Sequence, residues 1–362
     1  MKRAAFVLAV FILFITSYPA QAAYHFSNYK GRPPIHILGG TTKTPTGLTP
    51  QQIKSFYNLP ATGGRGTIVI IGAYDDVSVE KDLAAFSKQF GLSECTSASG
   101  CFIKHAMSAK ISANSGWAME TTLDVEWAHA IAPQAKILLV EATTPSGKNL
   151  LKAVDYAAAR ADATAISMSW GGAEFPEEVS LDSHFVSKSG APFFASSGDN
   201  GSGASWPASS PNVIGVGGTS LSLKSDGSLS KEIAWSGSGG GISAYEKEPS
   251  YQSEYSIPKS GGMRAIPDVS YDADPASGFS IVRGGTWYVV GGTSAGAPQW
   301  AAIAALGSVS LAHVYADKAA SNNSNYFRDI TSGTNGTCGY VCTARKHYDY
   351  ITGLGSPLTS EF

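Results

Sequence analysis

A serine in a glycine-rich segment is the first residue of this chain with the setting of a catalytic group. Ser294 stands in Gly291-Gly292-Thr293-Ser294-Ala295-Gly296-Ala297-Pro298, and a run of small and apolar residues follows. The pattern predicts a tight turn that enters a buried helix, with Pro298 in the first helical turn, where its missing N–H costs nothing. A hydroxyl at such a turn can point into a cleft beside N–H groups that have no intrahelical partner, as a nucleophile requires.

Two carboxylic acids lie close together elsewhere in the chain. Glu120 and Asp124 are four residues apart in a segment that predicts a helix, so both side chains lie on one face. The apolar residues around them are Trp117, Met119, Leu123 and Trp127. Such a pair shares a proton and can act as a base in acid, where a histidine is already protonated. A solvated acidic helix face is the alternative.

A third carboxylic acid, Asp199, stands in the turn Ser196-Ser197-Gly198-Asp199 directly after a predicted strand. When protonated, it would donate a hydrogen bond to an oxyanion, whereas its ionised form would repel one. The alternative is a turn residue that binds its own backbone.

In this order along one chain, these segments resemble the sedolisins, the serine-carboxyl peptidases that share the subtilisin fold. Further similar segments are residues 166–171, 206–211, 216–219, 267–270 and 352–357, so the resemblance covers nearly all of the chain after about Leu48. It implies the following catalytic roles: Ser294 as nucleophile, Glu120 as general base, Asp124 as the residue that orients it, and Asp199 with the Ser294 N–H as the oxyanion hole. Trp170 matches a position near the base and is a candidate substrate contact.

The resemblance also implies one structural calcium site. Its ligands would be the side chains of Asp329 and Asp349 and the carbonyls of Ile330, Arg345 and His347, a set of hard oxygen donors that suits Ca²⁺. Relatives usually have glycines at the last two carbonyl positions. Arg345 and His347 can replace them only if the backbone there needs no positive φ. A polar turn without metal is the alternative.

Two further departures from the family concern the base and the start of the chain. Relatives often have a carboxylate where this chain has Gly72, so a supporting partner for the acid pair is absent or comes from Asp75. Family precursors usually carry a large folded propeptide, but here the similarity begins at about Leu48. We therefore expect the enzyme to fold without a prosegment or with help from another chain.

Four cysteines form two close pairs, Cys95 with Cys101 and Cys338 with Cys342. In an exported protein, proximity favours two local disulfides. A zinc site is the alternative, but no histidine spacing accompanies the pairs as a zinc motif requires.

Short apolar runs alternate with helical patterns along the chain, which indicates parallel βαβ units. The predicted strands are residues 67–71, 135–140, 165–168 and 192–195, and the predicted helices are 82–90, 119–130 and 150–160. The expected fold class is α/β, a doubly wound and mostly parallel central sheet flanked by helices, subtilisin-like. The glycine-rich residues 237–241 are expected to form a loop beside the cleft.

The N-terminus has a basic start, an apolar run from Ala4 to Ile15, and the sequence Ala20-Gln21-Ala22, which describe a secretory signal peptide. We therefore expect a signal peptide over 1–22, an extended N-terminal arm over 23–47 that could lie across the cleft, and a peptidase domain over 48–362.

The net charge of −2 gives no electrostatic reason for binding nucleic acid or an anionic membrane. The expectation is a secreted monomer, extracellular or periplasmic, that cleaves protein or peptide substrates in acid as an endopeptidase or a tripeptidyl-peptidase. Two rivals remain. One is a subtilisin with a histidine base, although no histidine here, including His129, lies in such a motif. The other is a catalytically inactive secreted peptide-binding protein on the same fold.

Overall fold

The structure is a computed structural model that describes residues 25–315 and 326–359. The predicted signal peptide lies outside these residues. In the part of the chain that is described, no helix is both long enough and apolar enough to cross a membrane.

The bounds of the helices and strands are as follows. The α-helices that have both ends within the described ranges are α1 Pro50–Phe56, α2 Val79–Phe90, α3 Ser115–Ile131, α4 Gly147–Ala158, α5 Ser250–Tyr255 and α6 Gly296–Leu306. The strands are β1 His36–Thr42, β2 Thr67–Ala73, β3 Phe102–Ala106, β4 Lys136–Ala142, β5 Ala163–Met168, β6 Gly172–Ala173, β7 Phe193–Ser196, β8 Ser205–Trp206, β9 Val213–Leu223, β10 Leu229–Ala234, β11 Gly241–Lys247, β12 Met263–Ile266, β13 Val269–Asp272, β14 Phe279–Arg283, β15 Thr286–Gly291, β16 Phe327–Arg328 and β17 Ser356–Pro357.

The central sheet has the strand order β10-β9-β7-β5-β2-β4-β3, and β13 pairs with β9 to make eight strands. All neighbours run parallel except β10 and β9. Every residue of β2 is buried, as expected for a parallel strand covered on both faces. The predicted strands and helices are all present, each within a few residues of its expected bounds, and the α/β fold class is confirmed.

Helices cover both faces of this sheet. Ile68 and Ile70 of β2 pack with the α3 and α6 side, whereas Val69 and Ile71 pack with α4 on the other side. This alternation follows from the two-residue period of a strand. Helix α3 is buried from Trp117 to Ile131 because it lies between the sheet, α2 and α6. The polar side chains from Glu120 to His129 on α3 are therefore inside the protein.

Both expected disulfides, Cys95–Cys101 and Cys338–Cys342, are present. The buried His129 lies close to the first, but sulfur atoms in a disulfide are not thiolate ligands for a metal. The His129 Nε2 atom lies 2.9 Å from the Ser93 carbonyl oxygen, and burial lowers the pKa of this ring. His129 is therefore a core residue, away from the catalytic candidates.

Several carboxyl groups outside the candidate site are buried, and burial raises their pKa. The pKa of Glu141 is raised to about 7, that of Glu246 to about 8 and that of Glu178 to about 9, with burial as the largest cause in each. Glu246 lies near the charge of Asp182 and Glu178 near that of Glu174, whereas Glu141 contacts Lys104 at 3.2 Å, which opposes the rise. The native state therefore keeps protons on these groups at pH values where an unfolded chain has released them.

This difference predicts a protein that is more stable in acid than near neutrality. A carboxyl with a raised native pKa contributes stability below its unfolded pKa, near 4, and loses it as pH rises toward the native pKa, here about 7 to 9. We expect the melting temperature at pH 4 to exceed that at pH 7.5 by about 5 °C or more. Glu246→Gln should reduce this difference, and Glu254→Gln, on an exposed position, should not. Equal melting temperatures at both pH values would contradict the prediction.

Candidate active site

Helix α3 brings the two candidate acids into the interior. The Asn114 side chain caps the helix by accepting hydrogen bonds from the N–H groups of Gly116 and Trp117, both at 3.1 Å. Glu120 and Asp124 then follow on one face, and each is about 1% exposed. The alternative of a solvated acidic helix face is therefore wrong.

The setting of this pair is electrostatically unfavourable for two charges. Burial raises the pKa of Glu120, and the nearby charges of Asp124 and Asp199 raise it further, while the Ser294 hydroxyl acts in the opposite direction. Burial also raises the pKa of Asp124 to about 8, against the hydrogen bond from Ser169. Both oxygens of Glu120 are buried without a well-aligned hydrogen-bond partner among the described residues. The pair must therefore retain at least one proton over much of the pH range.

Ser294 lies in the predicted turn. A short 3₁₀ segment, Thr293–Ala295, leads directly into α6, and Ser294 is fully buried. Gly292 has φ +126°, and a Cβ at this position would overlap the Pro34 carbonyl oxygen and come within 2.5 Å of Asp199 Oδ2. Glycine is therefore required here both by the backbone conformation and by space.

Asp199 follows β7 and turns toward Ser294. Its Oδ1 atom accepts hydrogen bonds from both the N–H and the hydroxyl of Thr293, each at 2.8 Å. Its side chain is about 5% exposed. Burial raises the pKa of Asp199, and the contacts with His36 and Thr293 oppose that rise. A proton on Oδ2 would leave this oxygen as a hydrogen-bond donor beside Gly292.

Ser169 is a functional candidate that the sequence reasoning missed. Its hydroxyl donates to Asp124 Oδ1 at 2.6 Å and lies 3.2 Å from the Ser294 carbonyl oxygen, so it joins two parts of the site. The signal was present in the sequence, because Ser169 is the first residue after the buried strand β5, at the edge where sites form in such sheets. Asp75 does not support the acid pair and instead contacts Lys104.

Trp170 is fully buried, and its Nε1–H donates to the Ile71 carbonyl at 3.0 Å. Its ring lies beneath Gly31 of the N-terminal segment, where a Cβ would come within 3.3 Å of it. Trp170 therefore packs below the N-terminal segment, and its role as a substrate contact stays a prediction.

The cleft above these residues has a volume of about 760 Å³. Its walls are residues 171–173, residues 197–205 and Gly239, the last from the glycine-rich loop expected beside it. Residue 30 and residues 32–36 of the N-terminal segment also line it. Asp199 therefore faces this cleft, whereas Ser294 is fully buried behind the segment, with its hydroxyl 2.7 Å from the Pro34 carbonyl oxygen.

The residues proposed as calcium ligands also come together. Asp329 Oδ2 accepts the His347 N–H at 2.9 Å, and Asp349 accepts the Arg345 N–H at 3.2 Å. Ile330, which follows Asp329, is 1% exposed. Asp329 Oδ1 is buried and has no hydrogen-bond partner among the described residues, which leaves an oxygen free for a cation. Asp329 therefore offers an oxygen that fits a hard cation, while both oxygens of Asp349 already accept hydrogen bonds from residues 345, 351 and 352.

The condition that the backbone needs no positive φ is met at Arg345 but not at His347. His347 has φ +68°, the left-handed conformation in which relatives use glycine, whereas Arg345 has no positive φ. Keeping a residue with a Cβ in this conformation costs about 1–2 kcal/mol. The turn at His347 is thus maintained against a local penalty.

Comparison with known proteins agrees with this geometry. The sequence profile of the subtilase family matches residues 107–312, which contain α3, the Asp199 turn and the Ser294 turn. Kumamolisin from Bacillus sp. (strain MN-32) is 32% identical over 358 residues, covering 87% of this chain and 62% of that protein. Sedolisin from Pseudomonas sp. (strain 101) is 40% identical over 168 residues, covering 42% of this chain and 28% of that protein. The chain therefore spans less than two thirds of the length of either relative.

A solved structure shows the same architecture. Pseudomonas sedolisin, described as a serine-carboxyl proteinase in complex with two molecules of pseudo-iodotyrostatin, superposes with a TM-score of 0.74 at 29% identity. The match covers 87% of this chain and 96% of that one. The chain belongs to the subtilase family, in its sedolisin group.

Proposed function

We propose that this protein is a secreted, acid-acting serine-carboxyl peptidase that hydrolyses peptide bonds through an acyl-enzyme on Ser294. The observation that carries the proposal is the buried acid pair Glu120–Asp124 behind a serine at a helix-entering turn, with Asp199 beside it. The similarity to kumamolisin and to sedolisin supports the same chemistry.

In this mechanism the acid pair supplies the base. For the base step the pair must hold one proton and one negative charge, so one of the two carboxyls must ionise at a pH below the value of about 8 to which burial raises the pKa of Asp124; the ionised carboxyl then accepts the Ser294 proton. The hydrogen bond from Ser169 to Asp124 favours the ionised form of that carboxyl and holds it in place. The serine oxygen then attacks the peptide carbonyl, and the proton passes to the departing amine.

Asp199 stabilises the oxyanion that forms on the substrate carbonyl. Thr293 fixes one of its oxygens, and the other lies beside Gly292, where a substrate carbonyl can approach closely. In its protonated form Asp199 donates to the oxyanion, together with the Ser294 N–H. Water then hydrolyses the acyl-enzyme and restores the serine.

We also propose that a calcium ion binds at Asp329 and Asp349, with the carbonyls of Ile330, Arg345 and His347. When bound, the ion would contribute positive charge that balances the two aspartates and links residues 329–330 to the loop 345–349. It takes no part in the reaction.

The function is tested by the pH dependence of peptide hydrolysis and by Ser294→Ala. We expect a bell-shaped profile of kcat/KM with its maximum in acid, because the base is lost at very low pH and the Asp199 donor is lost as pH rises. Ser294→Ala should lower kcat to background while the melting temperature stays close to that of the wild type. A profile that is flat up to pH 8 would contradict the mechanism. A well-folded wild type that binds peptides but cleaves none would favour the peptide-binding alternative.

Two substitutions of Asp199 separate its hydrogen-bond donor role from its charge. Asparagine donates a hydrogen bond at every pH, whereas alanine donates none. Asp199→Ala should lower kcat by about 10²- to 10³-fold. Asp199→Asn should retain more activity and lose the decline at higher pH. Equal loss in the two folded variants would show that Asp199 does not act by donating to the oxyanion.

Calcium removal should lower stability without acting on the chemistry directly. A chelator should reduce the melting temperature, and added Ca²⁺ should restore it, because binding to the native state stabilises it by mass action. Asp329→Ala should reproduce the loss and make the protein insensitive to the chelator. Asp226→Ala is the matched control. Asp226 lies in an exposed turn and accepts hydrogen bonds only from Ser228, so this variant should remain sensitive to the chelator. Chelator-insensitive melting of the wild type would argue against the site.

A further inference from the structure

The turn that carries Asp199, residues 197–203, is joined to the Ser294 turn at its start. The Gly198 N–H donates to the Thr293 hydroxyl at 3.0 Å, and that hydroxyl donates to Asp199 Oδ1 at 2.8 Å. Beyond Asp199 the turn reaches the surface, and most of its remaining residues are exposed. The position of Asp199 therefore also depends on what holds the far end of this turn.

The glycine-rich loop beside the cleft, residues 237–241, is one partner of this far end. Backbone hydrogen bonds of 2.6 to 3.0 Å link the two segments, joining Gly239 to Gly198, Gly201 to Gly237, and Gly203 to Gly240 in both directions. Residues 236–241 are all serine or glycine, so this loop has no large side chain to pack against the protein, and its backbone is costly to order. A third segment is needed to fix the pair.

That segment is the disulfide loop, residues 334–343, in which Asn335 contacts both partners. Its side-chain amide donates to the Ser238 carbonyl at 2.8 Å, and its backbone carbonyl accepts the Ser202 N–H at 3.0 Å. Asn335 is 5% exposed. A Cβ at Gly201 would come within 2.7 Å of the Asn335 carbonyl oxygen, so the disulfide loop lies directly against the turn that carries Asp199.

The Cys338–Cys342 disulfide fixes Asn335 from the other side. The Asn335 N–H donates to the Cys342 carbonyl at 3.2 Å, and Thr334 pairs with Thr343 as an isolated antiparallel bridge. Cys342 is fully buried, whereas Cys338 is exposed. The bridge ties an exposed stretch to a buried anchor and so restricts its conformations. The contacts form a continuous path from the disulfide through Asn335 to the Asp199 turn.

We propose that Asn335 is a positioning residue for Asp199 and that the Cys338–Cys342 disulfide holds Asn335 in place for this role. The proposal rests on the proposed function, because it names what fixes the oxyanion donor of that same site. Asn335 acts through the backbone that carries Asp199 and supplies no group to the reaction.

Loss of the Asn335 amide should loosen this region without unfolding it. Ser238 is also held from the side of the central sheet, because its hydroxyl accepts the Gly218 N–H at 2.8 Å and donates to the Ile351 carbonyl at 3.1 Å. The contact between Ser202 and the Asn335 backbone survives any change of the Asn335 side chain. The expected effect is therefore on how firmly the turn holds Asp199.

The test compares Asn335→Ala with Asn212→Ala in the full chain, with Ca²⁺ added so that loss of metal cannot produce a difference. Asn212 is a matched control, because its amide also donates to a backbone carbonyl, that of Asp182 at 2.9 Å, and it does not line the cleft. We expect Asn335→Ala to lower kcat about 10-fold with little change in KM, because the Asp199 donor acts on the transition state. Asn212→Ala should match the wild type.

Asn335→Asp gives a pH readout that a merely structural role would not give. A protonated carboxyl can donate to the Ser238 carbonyl as the amide does, whereas an ionised one cannot. Within residues 197–205 and 236–241, Asp199 is the only titratable side chain. The kcat of this variant relative to wild type should be near 1 in strong acid and fall toward that of Asn335→Ala as the introduced carboxyl ionises. A ratio that stays at the Asn335→Ala value at every pH would contradict the proposal.

The role of the disulfide is tested by Cys338→Ala, with Cys101→Ala, which opens the other bridge, as its control. Cys338→Ala should lower kcat by a similar factor to Asn335→Ala. The double variant should lose little more than either single one, because both changes act through the same contact. Cys101→Ala should leave kcat unchanged. Losses that multiply in the double variant, or an equal loss in Cys101→Ala, would overturn the assignment to this disulfide.

A readout that needs no activity separates this inference from the proposed function. Burial raises the pKa of Asp199, so a looser turn should let it titrate at lower pH. In the inactive Ser294→Ala chain, carboxyl ¹³C NMR should show this change when Asn335→Ala is added and not when Asn212→Ala is added. A chain that cleaves nothing but shows the change would support the positioning role and contradict the peptidase. An active enzyme in which Asn335→Ala leaves kcat and the Asp199 titration unchanged, or raises KM alone, would overturn the positioning role.

Discussion

Glu120 and Asp124 lie on one face of the buried helix α3 and have no ion-pair partner within the described residues, and most features of the site follow from how the cost of burying them is met. Glu120 and Asp124 are both about 1% exposed, and the charge of Asp124 raises the electrostatic cost of ionising Glu120. Two full charges at such depth would cost several kcal/mol each without compensation. The pair can therefore exist only if it keeps a proton, and a pair that keeps one proton is a base suited to acid.

The same principle extends beyond the pair. Asp199 is buried against the Ser294 turn, and Glu141, Glu178 and Glu246 are buried elsewhere, all with a raised pKa. Such a protein is most stable at pH values where these buried carboxyls are protonated and neutral. The proposed catalysis and the expected folding stability therefore favour the same acidic range, whereas a histidine-based site would lose its base there.

The sequence could predict the elements and the site because short-range patterns determine them. The apolar run in β2 and the four-residue spacing of Glu120 and Asp124 needed only periodicity, and the Ser294 turn needed only its glycines and small residues. The resemblance to the sedolisins then related these segments to one another. The proximity of Ser169 to Asp124 depends on two elements 45 residues apart in the chain, so spacing alone did not indicate it.

The contacts of the N-terminal segment were the least predictable. An extended arm was expected, with a possible position across the cleft, but the meeting of Pro34 with Ser294 joins residues 260 apart. His36 has no motif around it, and its contact with Asp199 at 3.1 Å depends on where the Asp199 turn lies. Similarly, the left-handed backbone at His347 is a tertiary effect, because local preference alone would place a glycine there.

Direct observation of the proton on the acid pair would test the central claim. Side-chain carboxyl ¹³C NMR of the Ser294→Ala protein, with Glu120→Gln and Asp124→Asn variants for assignment, follows both groups through a pH titration. The account predicts two linked steps, with at least one proton still held by the pair at pH 6 and the second step displaced when either partner is replaced. Independent titration of both groups near pH 4, with no change in one when the other is replaced, would contradict it.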